Sequence, residues 1–139
     1  MLQKLLGRLT STPDSPQVNE ALAQLVLGTP AVVRATLVTS TGLTRGSFPR
    51  QAAEEDRIAA MSAAIMSLGE RICHELGSGD LRYAVIAGIK TTQLLIVLSE
   101  DYALELELRP NVSVDETLNT VKESTHSLLH VLHIEPATR

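Results

Sequence analysis

The stretch from Ile58 to Gly69 reads IAAMSAAIMSLG and carries no charged residue over about three turns of helix. A helix this uniformly apolar has no side fit for water, so it must be covered on more than one face. Ile58, Met61, Ile65, Leu68 and Ile72 recur at alternating three- and four-residue spacing, a seam predicted to pack on a sheet. Ala60, Ala63, Ala64 and Ser67 sit elsewhere around the helix and are small enough to let another backbone approach closely. In a two-layer domain of this size, a second copy of the same helix is the economical cover, which predicts a homodimer. The alternatives are cover by the first or last helix of the chain, or alanines that merely support helicity.

The remaining segments define what that helix packs on. Ser15 before Pro16 reads as an N-cap with proline in the first helical position, and Val18, Leu22, Leu25 and Val26 then form an apolar stripe up to Gly28. Ala31 to Ser40 is rich in Val and Thr and predicts a strand. Thr41-Gly42 is a tight turn that should return Leu43 to Phe48 antiparallel. The long helix is expected from about Glu54 to Leu76, ended by Gly77-Ser78-Gly79. Asp80 to Ile89 and Thr92 to Ser99 read as two further strands. In a fifth, Tyr102, Leu104, Leu106 and Leu108 alternate with Ala103, Glu105, Glu107 and Arg109, which predicts one buried and one wet face. Ser113 and Glu116 make a capping box for a closing helix lined by Val114, Leu118, Val121, Leu128 and Leu132.

The order is therefore helix, two strands, helix, three strands, helix. Hairpin-length links dictate a mostly antiparallel five-stranded sheet in an α+β layer fold, without the βαβ repeats of nucleotide-binding sheets. One domain is expected over residues 15–134, preceded by a short amphipathic arm over 1–14, where Leu2, Leu5, Leu6 and Leu9 share a face, and followed by a tail over 135–139. The third strand places Leu81, Tyr83, Val85, Ala87 and Ile89 on one face and Ala84 and Ile86 on the other. Such a strand at a sheet edge invites aggregation unless it pairs, and pairing with its symmetry mate removes the hazard. Arg71, Tyr83 and Val85 are accordingly counted with the small helix residues as the expected dimer interface.

A formal charge of −4 offers no basic stripe for phosphates, and Phe48, Tyr83 and Tyr102 are too few to stack bases, so nucleic acid is a poor partner. A single cysteine, Cys73, and no continuous apolar leader point to the cytoplasm. No run approaches the roughly 18 apolar residues of a membrane span.

Candidate chemistry is thin. His126, His130 and His133 share a face of the last helix and raise the question of a metal, but Asn119, Lys122 and Glu123 on that face mark it as solvated, and no HExxH arrangement is present. Cys73 and His74 are adjacent and point about 100° apart, so they cannot act as a dyad, and Cys73 is expected to be buried for structural reasons. Glu54, Glu55 and Asp56 are acids in a first helical turn, where the helix dipole favours them. No phosphate-binding glycine loop exists. Neither catalytic residue, cofactor nor metal is expected.

Ala35-Thr36-Leu37-Val38, Thr41-Gly42-Leu43, the Ala-rich helix ending Glu75-Leu76-Gly77-Ser78-Gly79, the strand Leu81 to Gly88, the run Leu94-Leu95-Ile96-Val97-Leu98 and the strand Tyr102 to Leu108 together resemble the roadblock/dynein-light-chain family. The resemblance covers about Ser15 to Leu132 and rests on patterns of fold. The family often carries Asp-Gly at the first hairpin, where this chain has Thr41-Gly42. The resemblance implies the roadblock, profilin-like architecture, with two subunits joined through the second helix and third strand into one continuous sheet. It also implies an adaptor role and, in prokaryotic members of the MglB type, binding of a Ras-like small GTPase and stimulation of its hydrolysis. Arg45, Arg50 and Arg57 are the candidate partner-binding arginines, with Arg71 a fourth. Two other functions compete: a structural subunit of a larger complex, and a ligand-sensing module of the PAS or GAF kind, which needs an internal pocket with converging polar groups.

Overall fold

Helix α1 (Pro16–Gly28) starts where the Ser15 side chain accepts the Val18 N–H and Pro16 occupies the first turn. Its stripe of Val18, Leu22 and Leu25 is fully buried. The chain then turns into β1 (Val32–Thr39), and Gly42, at φ +90°, reverses it into β2 (Thr44–Phe48). The left-handed backbone is open to glycine at no steric cost, which is why the turn works without an aspartate before it. This computed structural model describes residues 15–133, so the expected N-terminal arm and C-terminal tail lie outside the described residues.

The long helix α2 (Ala52–Glu75) ends in a Schellman arrangement: Gly77 takes φ +63°, its N–H reaches the His74 carbonyl and the Ser78 N–H reaches that of Cys73. Three strands follow: β3 (Tyr83–Ala87), β4 (Thr92–Val97) and β5 (Tyr102–Leu108). All pairs are antiparallel and the sheet order is β2-β1-β5-β4-β3. The last strand in sequence thus lies at the centre, and β3 lies at an edge. The expected single closing helix is two, α3 (Val114–Thr120) and α4 (Lys122–Val131), broken at Val121. Thr117 and Thr120 turn their hydroxyls back onto the Ser113 and Glu116 carbonyls, a bond that bends helices, and the bend drives Val121 into the core.

One face of the sheet is covered by α1, α3 and α4, where Ala35, Leu37, Leu94, Leu104, Leu106 and Leu108 meet Leu22, Leu25, Val121 and Leu128. Among the described residues the other is covered by α2 alone, through a smaller cluster of Val38, Ala59, Met66, Leu95 and Ala103. The first layer is close-packed at Gly46 on β2. A Cβ there would lie 2.8 Å from Val18 Cγ1 and 2.9 Å from Asn19 Oδ1. Because Val18 is itself fully buried and has nowhere to move, Gly46→Ala is expected to cost about 1–3 kcal/mol in a urea titration; an unchanged midpoint would mean α1 can lift off the sheet.

Candidate functional site

Helix α2 presents two parallel stripes, and the structure assigns them differently from the sequence. The side pressed on the sheet consists of Glu55, Ala59, Ser62 and Met66. The apolar seam expected there faces outward for much of its length: Met61, Leu68 and Ile72 are 59%, 61% and 50% exposed. Adjacent helical positions differ by about 100°, so both stripes carry the same three- and four-residue spacing. Ala59 and Ser62, at the middle of the stripe that meets the sheet, let the helix backbone approach closely between Glu55 and Met66. Cys73, expected in the core, is only partly covered.

The edge strand β3 is apolar and exposed on both faces of the sheet. Val85 and Ile86 are each more than two-fifths exposed, and Ile89 beyond the strand is fully so. The second edge of β3 has no partner strand among the described residues. Of the residues expected at a dimer contact, Ala64, Ser67, Arg71 and Val85 are exposed and Tyr83 is half-buried. Ala60 is exposed too and Ala63 is half-buried, both beside the chain's own β1–β2 turn, where a Cβ at Gly42 would sit 3.5 Å from Ala60 Cα and 3.9 Å from Ala63 Cβ.

The arginines divide by their partners. Arg45 is half-buried, donates to the Tyr102 hydroxyl at 3.3 Å and lies 5.7 Å from the centre of that ring. Arg50 stands 3.6 Å from the Glu55 carboxylate and Arg57 3.1 Å from that of Glu54. Arg71 is exposed.

His126, His130 and His133 do not converge: the first two are exposed on α4 and His133 lies past its end at φ +57°. The described residues instead bring together Glu70, His74 and Asp80, with donor atoms within 4.8 Å of one another. Glu70 accepts the Leu81 N–H at 3.0 Å, so its carboxylate ties β3's lead-in to the end of α2. No helix among the described residues is long and apolar enough to cross a membrane.

Between α2 and the sheet runs a cleft of about 340 Å³. Its apolar walls are Ile58, Met61 and Ile65 from the helix and Ala84, Ile86 and Leu95 from β3 and β4. Glu105 opens into it from β5. The alternation of β5 predicts a wet face here, yet Glu105 is 6% exposed and Ala103 is fully buried, because the central strand has a helix over each face. Burial first, and the neighbouring Glu107 carboxylate second, hold the Glu105 carboxyl up at about 7, with Arg34 opposing both. No sequence signal other than an acid inside a central strand could have found it.

A five-stranded antiparallel sheet with one long helix on one face and α1, α3 and α4 on the other is an α+β domain of profilin-like architecture. The chain belongs to the Roadblock/LC7 domain family, whose model matches residues 18–104. It is similar in structure to a Roadblock/LC7 domain from Streptomyces avermitilis, at 19% identity and TM-score 0.76, over 83% of this chain and 97% of that one. It is similar also to Myxococcus xanthus MglB, at 14% identity and TM-score 0.74, over 84% and 94%. Schizosaccharomyces pombe profilin shares the fold at 14% identity and TM-score 0.57, over 81% and 97%. No curated protein matches the chain in sequence.

Proposed function

We propose that the protein is a homodimeric adaptor that binds a Ras-like small GTPase and modulates its hydrolysis or its location, in the cytoplasm and without chemistry of its own. The observation that carries this is the exposed apolar stripe of Met61, Leu68 and Ile72 on α2 beside the unpaired edge strand β3, whose exposed Ile86 lies on the same side of the sheet. A surface of this kind on a soluble domain marks an interaction site, and an unpaired strand edge beside it suits a second copy related by a two-fold axis. Antiparallel pairing of two β3 strands would join the sheets into one and set the two α2 helices side by side, with Ala64, Ser67 and Arg71 at the outer border of their contact.

Membership of the Roadblock/LC7 family and the likeness to MglB support the GTPase as partner. Arg71, and Arg57 with its ion pair to Glu54, are exposed on α2 where they can meet it, whereas Arg45 is held against Tyr102. The dimer would act by favouring the hydrolysis-competent arrangement of the GTPase switch segments, a population shift driven by differential binding. The test is affinity capture with the tagged protein from its native lysate, loaded in parallel with GDP or a non-hydrolysable GTP analogue. The expected result is recovery of a small GTPase preferentially in one nucleotide state. Equal recovery of a non-GTPase assembly in both states would replace the regulator with a structural subunit.

A further inference from the structure

We propose that Glu70, His74 and Asp80 bind a divalent ion of the zinc class, which pins the last turns of α2 to the lead-in of β3. This rests on neither the dimer nor the GTPase. Glu70 and His74 are four residues apart on α2 and so share one side of it, the spacing that lets two side chains of a helix reach one ion. The chain itself brings the third donor back to them. Gly77 and Gly79, at φ +63° and +87°, fold the segment after the helix so that Asp80 returns beside the turns it has just left. The three donor atoms lie within 4.8 Å of one another.

Donor chemistry selects the ion. Zn²⁺ takes imidazole nitrogen and carboxylate oxygen at about 2.0–2.2 Å in a tetrahedron, which sets neighbouring donors about 3.3 Å apart. Closing to that separation asks only for rotation of His74 and Asp80, both exposed and with no hydrogen-bond or ion-pair partner for their side chains among the described residues. Glu70 is already oriented, because its carboxylate accepts the Leu81 N–H at 3.0 Å, and lone pairs are left over for a metal. Two carboxylates offset the charge of the ion, and water completes the fourth position. Ca²⁺ and Mg²⁺ call for six or more oxygen ligands and gain nothing from an imidazole.

The cluster stands clear of the self-contact surface. Glu70 and His74 lie two residues to either side of Ile72, so each is about 160° round the helix from it, and Met61 and Leu68 are on the Ile72 side. The single chain and the proposed dimer can therefore both hold the ion. Its mechanical effect is to tie the C-terminal turns of α2 to the start of the edge strand across the intervening loop, so that the two elements of the self-contact are braced against each other from behind.

Equilibrium dialysis of the full chain against Zn²⁺, on protein purified without a histidine tag, tests this, with Ca²⁺ and Mg²⁺ as competitors. The expected result is one Zn²⁺ per chain at micromolar free ion, undisturbed by millimolar Ca²⁺ or Mg²⁺, with a Tm that rises as free Zn²⁺ rises. His74→Ala and Asp80→Asn should each weaken binding by at least about tenfold and cancel the rise in Tm. Glu70→Gln keeps an acceptor for the Leu81 N–H but removes the charge, and should weaken binding as well. Replacing His126 and His130 of α4 together by alanine should change nothing. Co²⁺ in place of Zn²⁺ should give the strong visible absorption of a four-coordinate site, lost in His74→Ala. Zn²⁺ uptake that survives His74→Ala but disappears with the α4 histidines would overturn the proposal. So would equal competition by Ca²⁺, no uptake at micromolar ion, or half an ion per chain, which would place the metal between two copies.

Discussion

Glu105→Gln is expected to be more stable than the natural protein at pH 8, by an amount approaching 3 kcal/mol. The carboxyl has an ordinary value of 4.5 in the unfolded chain and about 7 in the folded one. A raised value means that the folded state holds the proton more tightly. Its contribution to stability is therefore full below about pH 4.5 and is lost progressively as pH rises through 7. A difference of that size corresponds to about 3 kcal/mol at pH 8, a large share of a typical domain's total. The glutamine keeps the shape and removes the ionisation, so the gap between the two proteins should open between pH 5 and pH 8 and be small at pH 4. Urea melts of both across this range measure it directly. Parallel curves would mean that Glu105 reaches solvent in the folded protein and that the cleft opens more than its static shape implies.

Replacing Leu68 and Ile72 together by aspartate should convert the proposed dimer to a folded monomer and remove GTPase binding with it. Both side chains are at least half exposed in the single chain, so the substitution leaves the core of Leu37, Leu94, Leu104 and Leu106 untouched and the melting temperature should change little. In the dimer the same positions would bury up to four carboxylates against apolar neighbours, each costing several kcal/mol in lost hydration. Weakening by at least about a thousandfold follows, since every 1.4 kcal/mol is a factor of ten. Sedimentation equilibrium reads the oligomeric state, and the nucleotide-dependent capture reads the partner. A double variant that remains dimeric would place the self-contact elsewhere, and one that is monomeric yet still captures the GTPase would detach the partner site from the dimer.

Much of the architecture was legible because local chemistry dictated it. Ser15-Pro16, Ser113 and Gly77 act at helix ends through their own hydrogen bonds and backbone freedom, and Thr41-Gly42 forces a hairpin whatever surrounds it. These signals depend on neighbours a few residues away. The candidate sites were less legible. The seam Ile58, Met61, Ile65, Leu68, Ile72 was visible as a seam, but periodicity reports that residues share a stripe and is silent on what the stripe faces. Arg45 looked like a surface arginine until β2 and β5 brought it to Tyr102, 57 residues away in sequence.

The sequence by itself determined the first two helices, the strands and their antiparallel pairing, because each follows from short-range sterics, capping or spacing, while the break of the closing helix at Val121 escaped it. Only the tertiary structure decided which side of α2 meets the sheet and that β5 lies at the centre. The last of these gives Glu105 its character. An acid on an alternating strand is solvated when one face is open, and it becomes a buried, near-neutral titrating group when a helix closes that face. Strand order depends on contacts between distant segments, and no local pattern encodes it.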